Sequence, residues 1–324
     1  MEDIAALAGV ALVTVSRVLN TPERVAPATR KKVEDAIRRT GYVQNLTAGA
    51  LAGSRSRIVA AVVPTIANSI FADTVQGLTE TLEAAGYAIL LGQTTYDATR
   101  EESLVRAMLG RRPDALMLVG APLSAGTRRL LKAAGIPVVE TWDMVERPID
   151  HVVGFSNVEA GRLVAEHLIA RGRRRLRGLG GDEARSRARL SGFAAGIAAA
   201  GLEPQPAVVL ASPGSATTGR DAMRALIDQG LPDDALFFTS DIIAIGALLE
   251  CQRRAIAVPG RLAIAGLGDL ELAAQMVPPL TTVRISGRAI GKAAAEQLLG
   301  AMAGTPSARR RIDLGVELVV RETT

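Results

Sequence analysis

Residues 1–20 read Met-Glu-Asp-Ile-Ala-Ala-Leu-Ala-Gly-Val-Ala-Leu-Val-Thr-Val-Ser-Arg-Val-Leu-Asn, and the rest of the chain is organised around them. A short helical run from Glu2 to Ala8 sets Ile4, Leu7 and Ala8 on one face at i, i+3, i+4 spacing. Gly9-Val10 interrupts it, as a tight turn between two helices requires a residue free to take positive φ. A second run, Leu12 to Leu19, buries Val15, Val18 and Leu19. Leu12, Val13, Thr14, Ser16 and Arg17 are left on the outer face. Hydroxyls there suit phosphate, and an arginine at the start of an exposed helix suits the O6/N7 edge of guanine in a major groove. An ordinary helical hairpin would show much of the same pattern.

Working outward, Thr21 to Val25 is a loop, and a third helix fits Ala28 to Thr40, with Val33, Ala36 and Ile37 turned to the first two. Gly41 stops it. Tyr42 to Asn45 is extended, and Leu46 to Gly53 is a run of small residues around Leu51. A loose linker would read the same way, but Ala and Leu favour helix, so this segment also suits a short helix that orders only on DNA, with Leu51 as an apolar wedge in the minor groove. Ser54-Arg55-Ser56-Arg57 closes the linker.

Charge supports a polyanion partner for this head. The chain of 324 residues carries a net charge of +5. Residues 1–57 hold nine basic side chains (Arg17, Arg24, Arg30, Lys31, Lys32, Arg38, Arg39, Arg55, Arg57) and five acidic ones, which is +4 of that total. The remainder is nearly neutral. No apolar run is long enough to span a membrane, and acidic residues, not a basic and apolar leader, come first, so a cytoplasmic protein is expected. One cysteine, Cys251, excludes an internal disulfide, and two histidines argue against a histidine-based metal site.

From Ile58 onward, strand-like and helix-like runs alternate. Apolar β-type runs include Ile58–Val63, Ala115–Val119, Val152–Phe155, Ala235–Phe238 and Leu262–Gly266. Helical runs between them include Phe71–Ala85, Thr99–Gly110, Val158–Arg171, Leu190–Ala200 and Ile242–Arg253. Repeated βα units build parallel sheets with helices on both faces. About five units fall on either side of Phe155, which predicts two similar lobes with a cleft at the C-terminal ends of the strands.

Ile4-Ala5, Ala8-Gly9-Val10, Thr14-Val15-Ser16-Arg17-Val18-Leu19-Asn20, Thr29-Arg30, Gly41-Tyr42, Asn45 and Leu51-Ala52-Gly53 resemble, in order, the lactose/galactose-repressor (LacI–GalR) family of transcription factors. The resemblance implies an all-α helix-turn-helix head (residues 1–44), a hinge helix and linker (45–57) and an α/β two-lobed body of periplasmic-binding-protein type (58–324). The lobes would comprise about 58–154 with 287–311, and 155–286 with 312–324, joined by three crossings. It further implies a homodimer on palindromic double-stranded operator DNA. Leu12, Val13 and Arg17 would read bases. Thr14, Ser16, Asn20 and Thr29 would hold phosphates, and Asn45, Ala48, Leu51 and Ala52 would form the hinge contacts. Ala11 and Ala26 depart from the family, which favours a hydroxyl cap at both positions, and nothing precedes Met1 to cap the first helix. A native start further upstream, or a head of low stability away from DNA, would follow. The absence of a leucine heptad after the last strand favours a dimer over a tetramer.

No enzyme constellation is present. Gly287 to Lys292 has the wrong spacing for a phosphate loop, Gly178-x-Gly180 lacks its third glycine, and neither His151 nor His167 has a nucleophile partner. No cofactor is expected. The predicted cleft residues are the polar and aromatic groups at strand ends: Asn68, Phe71, Trp142, Asp143, Ser156, Asn157, Arg189, Ser240, Asp241 and Asp269. Several could instead cap helices. The Arg-rich run from Arg171 to Arg189 reads as a solvated loop with Arg189 alone turned inward. Within the family, the body is most similar to the gluconate-utilisation repressors, through Gly135 to Asp143, Val153 to Asn157, Phe193, and Ala247 to Arg253. Gly268-Asp269 keeps one carboxylate where many members have two, which suits an anionic ligand. A sugar acid such as gluconate, acting as inducer, is the expected effector. A neutral sugar, pentose or purine, or a cytoplasmic solute-binding protein without regulatory DNA binding, are the alternatives.

Overall fold

The computed structural model describes residues 1–43, 55–66, 69–120, 123–305 and 307–324. Two units are distinguished, Met1–Ser56 and Arg57–Thr324. The hinge residues Asn45, Ala48, Leu51 and Ala52, and the cleft candidate Asn68, lie outside the described residues.

The first unit holds α1 (Glu2–Ala8), α2 (Leu12–Asn20), a single 3₁₀ turn at Pro22–Arg24 and α3 (Pro27–Thr40). Gly9 takes φ 64° at the turn between α1 and α2, and Gly41 takes φ 62° at the end of α3. Both are left-handed conformations that glycine adopts without a Cβ clash. Ile4, Ala5, Ala8, Val15, Val18, Val33 and Ala36 form the small core. Two expected core positions differ. Leu7 is 43% exposed and Ala5 replaces it, because α1 meets the other helices through the Ile4–Ala5–Ala8 edge. Leu19 only packs against the rim. Met1, Ala11 and Ala26 stand at the three N-cap positions without a capping side-chain bond.

The second unit contains two six-stranded sheets. The first carries β1 (Ile58–Val63), β2 (Ala88–Gln93), β3 (Ala115–Val119), β4 (Val138–Thr141), β5 (His151–Gly154) and β11 (Arg311–Asp313), in the order β11-β5-β4-β3-β1-β2. The second carries β6 (Leu176–Gly181), β7 (Val208–Leu210), β8 (Ala235–Phe238), β9 (Ala263–Gly268), β10 (Thr281–Arg284) and β12 (Glu317–Val319), in the order β12-β10-β9-β8-β6-β7. All strand pairs are parallel except β10 with β12, which is antiparallel. Central strands such as β3 and β8 are apolar on both faces because helices cover both, whereas the edge strand β2 is only partly covered.

The intervening helices are α4 (Ser69–Ala84), α5 (Ala98–Leu109), α6 (Ala125–Ala134), α7 (Asn157–Ala170), α8 (Ala184–Ala199), α9 (Ala216–Asp228), α10 (Asp241–Arg253), α11 (Glu271–Gln275) and α12 (Gly287–Met302). The chain passes from one sheet to the other after β5, after β10 and after β11. One helix differs markedly from expectation. α8 begins at Ala184, six residues before the predicted Leu190, so the segment read as a loop is two helical turns. No helix among the described residues is long and apolar enough to cross a membrane.

The position of α8 is fixed by contact of backbone with backbone. A Cβ on Gly161 of α7 would lie 1.9 Å from the carbonyl oxygen of Arg189, and one on Gly192 of α8 would lie 1.9 Å from that of Val158. Only hydrogen fits at either place. Gly192→Ala should push α8 away from α7 and lower stability by about 1–3 kcal/mol. Chemical denaturation of the variant checks this, and an unchanged midpoint contradicts it.

Candidate functional site

Two surfaces stand out. On the first unit, Leu12 and Val13 are 43% and 56% exposed, with Arg17 and Asn20 also open to solvent. Thr14, Ser16 and Thr29 are half-buried. Asn20 Nδ2 donates to the Ser16 carbonyl at 2.9 Å and to its hydroxyl at 3.3 Å, so these two side chains are ordered against each other along α2. Exposed apolar residues thus stand beside an arginine on a helix whose opposite face is core.

On the second unit, strands of both sheets point their C-terminal ends at a cavity of about 250 Å³. Phe71, from the first turn of α4, Tyr96, which follows β2, and Trp142, which follows β4, form one wall. Arg185, Ser186 and Arg189 of α8, with Ser215, Thr239 and Ser240, form the other. Trp142 holds φ 72°, uncommon for a bulky residue. Its indole N–H donates to Thr74 Oγ1 at 3.0 Å, and its ring meets Phe71 and Phe155 edge-on at centroid distances of 5.0 and 5.8 Å.

The cavity sets two arginines, Arg185 and Arg189, against one lining carboxylate, Glu183. Arg189 is 8% exposed, with Nε donating to Asn157 Oδ1 and Nη1 to the Thr239 carbonyl, each at 2.8 Å. Burial and the neighbouring Arg185 push its pKa down to about 10. Arg185, also 8% exposed, lies over the Phe71 ring at 5.4 Å from the centroid. Burial lowers its pKa too. Withdrawing two cations from water is unfavourable unless an anion compensates. The N-terminal ends of α8, α9 and α10 also face this space through Arg185, Ser215 and Ile242. At the starts of α8 and α10 the residues Glu183 and Ser240 make no capping side-chain bond. Helix N-termini favour negative charge.

Four predicted cleft residues, Phe71, Trp142, Arg189 and Ser240, line the cavity. Asn157 stands one step behind, donating from Nδ2 to the Trp142 carbonyl at 3.0 Å while accepting from Arg189. Four others do not line it. Ser156 caps α7, accepting from the Glu159 N–H at 3.1 Å. Asp143 accepts from the Met144 N–H. Asp241 is fully buried and turned to its own lobe, where Oδ1 accepts from Thr282 at 2.6 Å and Oδ2 from the Leu270 N–H at 2.9 Å. Asp269 is taken by Arg284 and Arg321 at 2.7 and 2.5 Å. Arg189 is not alone in turning inward, as expected from sequence; Arg185 does so as well. Its spacing of four residues from Arg189 places both on one helix face and is the signal that marks it. Tyr96, Ser186, Ser215 and Thr239 were not singled out by sequence. No group of His, Cys, Asp and Glu among the described residues could hold a metal.

A helix-turn-helix head and a two-lobed body with a cavity between parallel sheets define the architecture of a DNA-binding regulator. Comparison gives the family. Residues 1–45 match the bacterial regulatory proteins, lacI family, and residues 165–324 match the periplasmic binding protein-like domain. The chain is 38% identical over 326 residues to the HTH-type transcriptional regulator GntR of Pseudomonas aeruginosa, covering 100% of this chain and 95% of that one. A LacI-family transcriptional regulator from Silicibacter pomeroyi shares 32% identity at a TM-score of 0.92, covering 99% of this chain and 98% of the other. The lac repressor dimer bound to operator and the anti-inducer ONPF shares 26% identity at a TM-score of 0.86, covering 99% and 98%. The chain belongs to the LacI family and is a DNA-binding transcriptional regulator, and the relatives compared are regulators, not enzymes.

Asp241 makes stability depend on pH. Burial raises its pKa from an ordinary 3.8 to about 6, against the opposing hydrogen bonds from Thr282 and Leu270. Between those values the folded protein holds a proton that the unfolded chain has released. This group's contribution to stability is therefore full below about pH 4 and is lost as pH rises through about 6. Asp241→Asn should flatten the slope of unfolding free energy against pH in that window. Denaturation curves from pH 4 to 7 measure it, and an undiminished slope assigns the effect elsewhere.

Proposed function

We propose that this regulator represses a carbohydrate-utilisation operon and leaves its palindromic operator when a sugar acid of the gluconate type fills the inter-lobe cavity. The observation that carries this reading is the pair of buried guanidinium groups in a closed space that also presents hydroxyls and an aromatic wall. Arginines pair with a carboxylate, hydroxyl-bearing side chains with sugar hydroxyls, and Phe71 and Trp142 with C–H faces. A neutral hexose would leave the two cations with only the nearby carboxylates of Glu183 and Asp143, neither of them in contact, as counter-charge. The resemblance of the body to gluconate-utilisation repressors supports the same choice.

On DNA, Leu12, Val13 and Arg17 read base edges, while Thr14, Ser16, Asn20 and Thr29 hold phosphates. Asn45, Ala48, Leu51 and Ala52 serve the minor groove, with Leu51 as wedge. Reading a palindrome requires two-fold symmetry, and a homodimer provides it. Exposed Leu249, Leu272 and Val277 support self-association, with α10 tied to the last of these by a hydrogen bond from Gln252 Nε2 to the Val277 carbonyl. The protein works in the cytoplasm, where its DNA is. Effector binding favours a closed body, closure separates the paired hinge segments, and the wedge withdraws. By linkage, operator weakens effector binding by the same factor that effector weakens operator binding.

Gluconate should lower operator affinity about 5- to 150-fold. Electrophoretic mobility shifts on a palindromic operator, with gluconate against glucose, ribose and a purine, test this. Tighter operator binding with gluconate reverses the sign, and release by glucose alone replaces the ligand.

A further inference from the structure

The two cavity arginines are not equivalent. Arg189 has Nε and Nη1 engaged by Asn157 and Thr239, and so ties α8 to the crossover segment and to the end of β8. Arg185 makes no hydrogen bond or ion pair with any described residue, although it is more than nine-tenths buried. Its partner is the face of Phe71, on the opposite lobe, at 5.4 Å. A cation–π contact engages no N–H in a hydrogen bond, so the guanidinium keeps the donors that grip a carboxylate in two places. Room for that guanidinium depends on Gly120, which follows β3 in the first lobe. A Cβ there would lie 2.6 Å from Arg185 Nη1, and its φ of 114° further disfavours any other residue.

We propose that Arg185, not Arg189, selects the charge of the effector. Its guanidinium takes the ligand carboxylate through paired hydrogen bonds, Arg189 braces the helix that carries it, and Gly120 leaves room for the head group. The stacked cation, waiting on one lobe for an anion while resting on the other, makes the carboxylate a bridge between lobes. This assignment rests on the sugar-acid reading above and adds to it the residue that distinguishes an acid from its neutral analogue.

The experiment is calorimetric titration of the full chain and its variants with gluconate, with glucitol, which replaces the carboxylate by a hydroxymethyl group, and with glucose 6-phosphate, whose anion is a phosphate. Wild type should prefer gluconate. Arg185→Met should bind gluconate about 10- to 150-fold more weakly, the usual loss for a hydrogen bond to a charged group, while glucitol binding stays unchanged. Discrimination between the two then collapses. Arg185→Lys keeps the charge without the planar fork and should show an intermediate loss, which carries the test should the Met variant fail to fold. The thermal midpoint of ligand-free Arg185→Met should equal or exceed that of wild type, because no hydrogen bond is lost, whereas Arg189→Met should lower it. Undiminished gluconate binding in Arg185→Met overturns this assignment and leaves the sugar-acid reading intact. Tighter binding of glucose 6-phosphate than of gluconate overturns the choice of carboxylate. No binding of gluconate to wild type overturns the reading and the assignment together.

Discussion

Arg185 and Arg189 stand one helical turn apart on α8, both withdrawn from bulk water, and the surroundings of the cavity are arranged about that pair of like charges. Their repulsion is offset at a distance by Glu183 and Asp143, while the direct contacts are to other groups: an amide and a carbonyl oxygen for Arg189, an aromatic face for Arg185. The fold supplies the setting. A parallel sheet delivers every strand end, and hence every helix start, to one edge. Two such edges facing each other bring several backbone N–H termini to one small space. An anion entering there meets a field already in place.

That field is held rigid from behind. Trp142, Asn157, Arg189 and Thr239 are joined in sequence by hydrogen bonds from the first lobe, through the crossover, to the second. The close approach of α7 and α8 at Gly161 and Gly192 leaves the helix no room to slide. A ligand that engages α8 therefore acts on a body already coupled to the crossing segment, which is where relative rotation of two lobes must be accommodated.

Much of the architecture was legible in the sequence because it rests on local patterns. β1 and β3 are unbroken apolar runs, and the turn at Gly9 and the stop at Gly41 follow from glycine itself. The start of α8 was not legible. Glu183 to Arg189 is rich in arginine and serine and reads as solvated, and only tertiary burial turns it into a helix with two inward cations. Asp241 was misplaced for the converse reason. A carboxylate at a strand end faces either the cleft or its own lobe, and Thr282 and the Leu270 N–H, both distant in sequence, decide for the second. Asp269 was lost to the cavity in the same way, because Arg321 and Arg284 reach it from the last and tenth strands' surroundings. Leu7 shows the limit of periodicity in a helix of seven residues, where one edge of contact is enough.

Trp142 is the only tryptophan in the chain and sits in the cavity wall between two phenylalanines. Its indole is shielded from solvent and tethered through Nε1. Indole emission, excited beyond the tyrosine absorption band, therefore originates at a single chromophore in the cavity wall, so its colour and intensity monitor occupancy of the cavity without any attached dye.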